Sequence, residues 1–113
     1  MFGFSQPKVP QINAEDVLHA IQEKKDVLLL DVRTKDEVGR GKIENSINIP
    51  VDEVEKRIES EVSNKDATIY VYCLSGSRST ISVDQMIKMG YKNVFSMTSG
   101  LLAWRSKNLP LLS

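Results

Sequence analysis

Two short apolar runs restrict the folds open to this chain more than any other feature of its sequence. The first, DVLLLDV at residues 26–32, is continuous and carries β-branched residues near both ends, which is typical of a strand buried on both faces. The second, ATIYVY at residues 67–72, combines β-branched and aromatic residues and follows the letters NKD. It predicts a second strand.

Helical patterns fill the stretches between these runs. Asn13 is a predicted N-cap, and the acids Glu15 and Asp16 fall in the first turn after it, where the helix dipole favours negative charge. Apolar spacing, capping residues and glycines mark further elements along the chain. The predicted helices cover 14–23, 34–39, 52–62, 78–89 and the residues from 101 onward, and two further short strands cover 46–49 and 94–96.

The alternation of strand and helix predicts an α/β domain of three layers, with a mostly parallel sheet of about five strands and helices on both faces. A chain of 113 residues is expected to form one domain, without room for a second that binds a substrate or cofactor. Two prolines and a glycine in the first ten residues indicate a flexible tail over 1–10. We therefore expect the domain to cover 11–113.

The charge balance argues against some classes of partner. Fifteen Lys and Arg balance fifteen Asp and Glu, and no basic run exceeds two residues, so nothing favours attraction to nucleic acid or to an anionic membrane. No apolar run is long enough to cross a bilayer. No large apolar stripe is left unassigned, and we expect a monomer.

The cysteine and histidine counts argue against disulfides and metal sites. Cys73 is the only cysteine and His19 the only histidine, so the chain has neither an internal disulfide nor a Cys/His cluster that would hold a metal. The first residues are too polar for a secretory signal. These features predict a reduced, cytoplasmic protein.

Cys73 lies at the carboxyl end of the second strand, and ligands of parallel sheets bind beyond that end. Ser75, Gly76 and Ser77 allow the next residues to curl, so that several N–H groups point inward beside a helix N-terminus. Such a nest stabilises an anion, and a thiol placed over it is favoured as a thiolate. Arg78 adds a fixed positive charge. A lone cysteine is more often a small packing residue, but this combination favours an anion-binding loop.

Four stretches resemble one family in order and spacing. CLSGSRS at 73–79 resembles the active-site loop of the rhodanese-like sulfurtransferases, Cys-x-x-Gly-x-Arg-Ser. LLLDVRTKDEVGRGKI at 28–43 resembles the family's Asp-Val-Arg segment with its acidic helix and Gly-His-Ile. SINIP at 46–50 and GYKNVFSMTSGLLAW at 90–104 resemble the family's Asn-Ile-Pro and Gly-Gly-x-x-x-Trp segments. The resemblance covers roughly 11–110 and implies a rhodanese-like fold.

The resemblance also implies a chemistry. The Cys73 thiolate attacks the sulfane sulfur of a donor such as thiosulfate and becomes a persulfide, and a second nucleophile then takes that sulfur. The acceptor is cyanide in the test tube and a thiol, small or on a thioredoxin-like protein, in the cell. No metal or organic cofactor is required. The loop amides that would hold the persulfide belong to Leu74, Ser75, Gly76, Ser77 and Arg78.

The supporting residues have two interpretations each. Arg78 either meets an anionic donor or pairs with an acid such as Asp31 and holds the loop, and we favour the second role. Asp31 and Arg33 end the neighbouring strand and are expected to support the site from behind; the alternative is an ordinary surface ion pair. Ser75, Ser77 and Ser79 are candidate hydroxyl donors to the sulfur, although roles in the loop and in capping alone would explain them.

Four positions depart from the family pattern, and all lie outside the cysteine loop. Lys42 stands where the family has His, Asn45 and Ser46 replace Gly-Ala, Val38 replaces an aromatic, and Ser99 replaces the first glycine of a pair. The expected fold is unchanged by them.

Two other functions fit the same segment. Phosphatases and arsenate reductases with a cysteine–arginine loop have five residues between Cys and Arg, whereas this chain has four, which makes a tighter nest. A non-catalytic binding or sulfur-carrier module is the other alternative. The donor also stays open: residues 74–77 contain no Lys or Arg, so a persulfide or polysulfide donor is as compatible as thiosulfate.

Overall fold

The computed structural model describes residues 6–112. Within them the chain forms one sheet of five strands, all paired in parallel. The order across the sheet is β1-β5-β4-β2-β3. The strands are β1 Gln11–Ile12, β2 Leu28–Asp31, β3 Ile47–Asn48, β4 Thr68–Tyr72 and β5 Asn93–Met97. The predicted parallel α/β architecture is confirmed.

Within residues 6–112, four α-helices connect the strands and a fifth follows β5. They are α1 Ala14–Gln22, α2 Lys35–Val38, α3 Val54–Glu61, α4 Ser77–Lys88 and α5 Gly100–Ser106. The cap predicted at Asn13 is confirmed, since its side chain accepts a hydrogen bond from the Asp16 amide at 2.8 Å. Thr34 and Glu37 form a reciprocal capping box at the start of α2. The helix predicted over 52–62 is divided, because a 3₁₀ turn at Val51–Glu53 precedes α3.

The core has two halves, one on each face of the sheet. Neighbouring residues of β2 separate them: Leu30 packs in one half and Leu29 in the other, because successive side chains of a strand point to opposite faces. Helices α3 and α4 contribute to the half that contains Leu30, and α1 and α5 to the half that contains Leu29. Trp104 of α5 is buried and its Nε1 donates to the Pro110 carbonyl at 2.9 Å, which fits a packing role.

The two-residue strand β1 was not among the strands predicted from sequence. It pairs with β5 through Gln11–Ser96 and Ile12–Met97, and just before it the Pro10 carbonyl accepts a hydrogen bond from the Ser96 amide at 2.9 Å. Val9 packs against the core. Residues 1–5 of the predicted tail lie outside the described residues, and the domain boundary at residue 11 stays a prediction.

No helix within residues 6–112 is both long and apolar enough to cross a bilayer.

Candidate active site

The sulfur of Cys73 lies at the carboxyl end of β4, just before the loop that enters α4. The residue is 0% exposed. Its Sγ accepts hydrogen bonds from the Gly76 amide at 3.1 Å and the Ser79 amide at 3.4 Å. Both amides belong to the start of α4, where unpaired N–H groups carry the positive end of the helix dipole. The curled loop expected from the sequence is therefore present, and it places two amide donors against the sulfur.

Gly76 makes this curl possible. Its φ is +105°, in a region that L residues with a side chain rarely adopt. A Cβ added there would lie 3.3 Å from the Ser99 amide nitrogen, so the loop also packs closely on the chain before α5. The amides of Leu74, Ser75, Ser77 and Arg78 form no hydrogen bond with Sγ among the described residues.

Only one of the three serines in residues 75–79 has its hydroxyl close to the Cys73 sulfur. Ser79 Oγ lies 3.7 Å from Cys73 Sγ and is buried. Ser75 and Ser77 are exposed, and their hydroxyls face each other at 3.4 Å. The structure thus brings one of the three predicted hydroxyls to the sulfur.

Arg78 is held by a carboxylate, but Asp31 is not its partner. The two terminal guanidinium nitrogens donate to Glu37, with Nη1–Oε1 at 2.6 Å and Nη2–Oε2 at 3.0 Å. The expectation of Asp31 was wrong because Asp31 is already bound to Arg33, at 2.8 Å. A fork-to-fork pair of this kind fixes orientation as well as distance. It joins the first turn of α4 to α2, and this supports a loop-holding role for Arg78.

The pairing favours the charged forms of both Glu37 and Arg78. The hydrogen bonds from Arg78 lower the pKa of Glu37 to about 2, against the opposing effect of partial burial. They also raise the pKa of Arg78 above its ordinary value. Because the pKa of Glu37 in the folded chain lies below its ordinary value, the pair stabilises the fold fully above about pH 4.5, and this stability is lost as the pH falls toward about 2.

Glu37→Gln is expected to make the free energy of unfolding depend less on pH in the acid range. The variant loses the charged pair at every pH, which should lower the free energy of unfolding by about 1–2 kcal/mol at pH 7. The difference from the wild type should shrink between about pH 4.5 and about pH 2, because there the wild-type carboxylate becomes protonated as well. Urea unfolding at a series of pH values measures both effects.

The matched control is Glu61→Gln. Glu61 forms an exposed pair with Arg57 at 3.6 Å, and exposed pairs contribute little. An unchanged dependence on pH in the acid range in Glu37→Gln, or an equal change in Glu61→Gln, would contradict the role given to the Glu37–Arg78 pair.

Gly100 holds the loop from the other side, and the sequence reasoning did not select it. The Leu101 amide donates to the Cys73 carbonyl at 2.9 Å, and the Leu102 amide donates to the Leu74 carbonyl at 3.0 Å. This close approach leaves no space for a side chain at residue 100, where a Cβ would lie 2.3 Å from the Cys73 oxygen. The N-terminus of α5 therefore clamps the two peptide units at which the loop begins.

Comparison with known proteins agrees with this geometry. The sequence profile of the family described as Rhodanese-like domain matches residues 14–107. This chain belongs to the rhodanese-like domain family. It is 31% identical over 105 residues to a sulfurtransferase of Allochromatium vinosum, across 93% of this chain and 96% of that protein. It is 26% identical over 84 residues to the thiosulfate sulfurtransferase GlpE of Coxiella burnetii, across 74% and 77% of the two chains.

A solved structure supports the same assignment. The crystal structure of a rhodanese-related protein from Thermoplasma volcanium superposes with a TM-score of 0.80 at 30% sequence identity. The match covers 92% of this rhodanese-like domain and 98% of the other chain.

Asp31 and Arg33 form a buried pair in this rhodanese-like domain. Their side chains are 0% and 2% exposed, so the alternative of a surface ion pair is wrong. The Arg33 guanidinium also donates to two backbone carbonyls, that of Glu37 at 3.2 Å and that of Gly41 at 2.7 Å. Neither residue hydrogen-bonds to the cysteine loop among the described residues. They fix α2, and α2 presents Glu37 to Arg78.

Two departures from the rhodanese-like pattern have a local structural account. Ser99 adopts φ +59°, a left-handed conformation that costs glycine little and serine more. Lys42, at the position of the family's histidine, donates from Nζ to the Ser46 carbonyl at 2.9 Å. Both side chains lie outside the hydrogen bonds to Cys73 Sγ.

Proposed function

We propose that this rhodanese-like domain is a sulfurtransferase that carries sulfane sulfur as a persulfide on Cys73. The observation that carries the proposal is the pair of amides, Gly76 and Ser79, that donate to Cys73 Sγ at the carboxyl end of β4. Backbone donors fixed in place stabilise negative charge on sulfur without reorganisation during the reaction. The thiolate, whose charge these donors meet, is the nucleophilic form of a cysteine.

The first half-reaction balances without an external oxidant. The Cys73 thiolate attacks the outer sulfur of thiosulfate, a bond forms between the two sulfurs, and the S–S bond of the donor breaks. The bonding pair leaves with sulfite, and Cys73 becomes a persulfide anion. The total charge is the same on both sides, so no proton transfer is needed when the cysteine starts as thiolate.

The second half-reaction returns Cys73 from the persulfide to the thiolate. Cyanide, or a thiolate in the cell, attacks the outer sulfur of the persulfide, and the bonding pair returns to Cys73. A cycle of two displacements through one covalent intermediate is ping-pong catalysis. The loop amides of Leu74, Ser75, Ser77 and Arg78 do not bind Sγ, and we assign them to the outer sulfur.

The charges in and beside the cysteine loop bear on the choice of sulfur donor. Residues 74–77 carry no charged side chain. The guanidinium of Arg78 is already paired with the Glu37 carboxylate through both terminal nitrogens. The loop therefore offers no free cation to a donor with two negative charges. Thiosulfate is the first donor to test, and a singly charged organic persulfide is the natural comparison. We propose a small thiol or a thioredoxin-like protein as the acceptor, in the cytoplasm.

The same residues weigh against phosphatase chemistry. A cysteine-dependent phosphatase uses its loop arginine to bind the phosphate, whereas Arg78 here is bound to Glu37 by two hydrogen bonds. The loop is also one residue shorter than the phosphatase loop. A sulfur-carrier module is closer to the proposal, since it would form the same persulfide without turnover.

A steady-state assay tests turnover. The protein is incubated with thiosulfate or an organic persulfide together with cyanide, and thiocyanate is measured over time. We expect formation well above the uncatalysed rate with at least one donor and parallel double-reciprocal lines, as ping-pong kinetics requires. Thiocyanate limited to one equivalent per protein would instead favour the carrier module. No thiocyanate with either donor would contradict the proposed function.

A further inference from the structure

Three buried hydroxyls lie next to the cysteine loop, residues 73–78, and one of them comes from a different element than the other two. Ser79 and Thr80 belong to α4, whereas Ser96 lies in β5. Ser96 Oγ is 2.7 Å from Ser79 Oγ and 3.4 Å from Thr80 Oγ1. Ser79 Oγ is in turn 3.7 Å from Cys73 Sγ. Ser79 and Ser96 are both 0% exposed, so water does not compete for their hydrogen bonds.

The hydrogen count limits what each hydroxyl can do. Each one has a single hydrogen to donate. The Gly76 carbonyl accepts from the Thr80 amide at 3.1 Å and from Thr80 Oγ1 at 2.7 Å, and these two donors fill its two lone pairs. Ser79 Oγ also donates to the same oxygen at 3.1 Å, but the two donors from Thr80 already satisfy that carbonyl. The Ser79 hydrogen can therefore turn to Ser96 or to Cys73 without leaving the carbonyl unsatisfied.

We infer that Ser96 is a positioning residue for Cys73, which acts by donating to Ser79 and so turning the Ser79 hydrogen toward the sulfur. When Cys73 is a thiol, its hydrogen points to Ser79, and Ser79 donates to Ser96. When Cys73 is an anion, the two bonds reverse: Ser96 donates to Ser79, and Ser79 donates to Sγ. In a buried chain of hydrogen bonds, each bond polarises and strengthens the next one. The consequence for sulfur transfer rests on the proposed function.

The charged groups around the sulfur do not change in this step. Arg78 of α4 is paired with Glu37 of α2, and it also interacts electrostatically with Cys73 and with Asp31 of β2. Asp31 is itself bound to Arg33. From β5, the residues at this level are Ser96 and Met97, which carry no charge. Removing a hydroxyl therefore isolates the hydrogen bond.

A pH titration of the thiolate tests the inference without any sulfur donor. The ultraviolet absorbance of the Cys73 thiolate is followed against pH, with the titration of Cys73→Ser subtracted to remove the tyrosines. Ser79→Ala is expected to raise the midpoint by about one pH unit, and Ser96→Ala by about half a unit. Because Ser96 acts through Ser79, Ser96→Ala should add no shift in the Ser79→Ala background.

A pair of variants of one shape removes steric effects. Ser96→Thr and Ser96→Val have nearly the same volume, and only the threonine variant keeps a hydroxyl. We expect Ser96→Thr to keep the wild-type midpoint and Ser96→Val to shift it as Ser96→Ala does. Ser82→Ala is the control for losing a buried serine of α4, since Ser82 Oγ has no hydrogen-bond partner among the described residues, and it should leave the midpoint unchanged.

Two results would overturn the inference. One is an equal midpoint in Ser96→Thr and Ser96→Val, and the other is a full Ser96→Ala shift that persists in the Ser79→Ala background. Either would show that Ser96 does not act by donating through Ser79. Because the titration needs no sulfur transfer, failure of the proposed function leaves it interpretable. If the function holds, Ser96→Ala should also lower the rate of persulfide formation near neutral pH by about threefold.

Discussion

Cys73→Ser is expected to reduce thiocyanate formation to the uncatalysed rate while the fold remains intact. A serine hydroxyl is not appreciably ionised near neutral pH, so it cannot replace the thiolate that the Gly76 and Ser79 amides stabilise. Cys73 is fully buried, and serine is close to cysteine in size. The free energy of unfolding should therefore change by no more than about 1–2 kcal/mol. The steady-state assay and urea unfolding measure the two effects.

The control for this substitution is Ser82→Ala, which also alters a buried polar side chain but lies in the middle of α4. It should retain wild-type turnover. Substantial activity in Cys73→Ser would remove Cys73 from the mechanism, because the chain has no other cysteine to take its place.

Gly100→Ala is expected to be the most destabilising single-methyl change near the site. The new Cβ would lie 2.3 Å from the Cys73 oxygen and 2.7 Å from the Leu74 oxygen, which are backbone atoms that cannot move aside alone. The cost of overlap and of a side chain at φ +47° should together lower the free energy of unfolding by about 3–5 kcal/mol. Sulfur transfer should fall as well, because α5 would release the carbonyls at the start of the loop.

Gly90→Ala separates the two parts of that cost. Gly90 also has a positive φ, +102°, but its nearest neighbour for a Cβ is the Lys65 ammonium at 4.0 Å. This variant should lose only about 1–2 kcal/mol of stability, with its turnover unchanged. Equal losses in Gly90→Ala and Gly100→Ala would show that backbone conformation, rather than contact with the cysteine loop, makes Gly100 necessary.

The features visible in the sequence are those that depend on neighbouring residues. The strands β2 and β4 follow from continuous apolar runs, and the cap at Asn13 follows from a side chain three residues before the amide that it binds. Cys73 is recognisable as a candidate nucleophile because a strand end, a Gly/Ser loop and an arginine are adjacent in the chain. In each case the physical cause lies within a few positions of its effect.

The features that were missed join distant parts of the chain. Glu37 and Arg78 are 41 residues apart, and Ser79 and Ser96 are 17 apart, so no local pattern pairs them. The sequence offered several acids for Arg78, and only the fold shows that Arg33 already occupies Asp31. Strand β1 has two residues, too few for a period to be seen. Gly100 had a signal in the family's glycine pair, but its reason, contact with the Cys73 carbonyl, is tertiary.

The most direct test of the account is the intact mass of the protein before and after incubation with thiosulfate or an organic persulfide, followed by cyanide. We expect a gain of one sulfur atom that is absent in Cys73→Ser, and its loss on addition of cyanide with release of one equivalent of thiocyanate. No gain of mass with either donor would contradict the claim that Cys73 carries sulfane sulfur. A gain that persists in Cys73→Ser would contradict it equally.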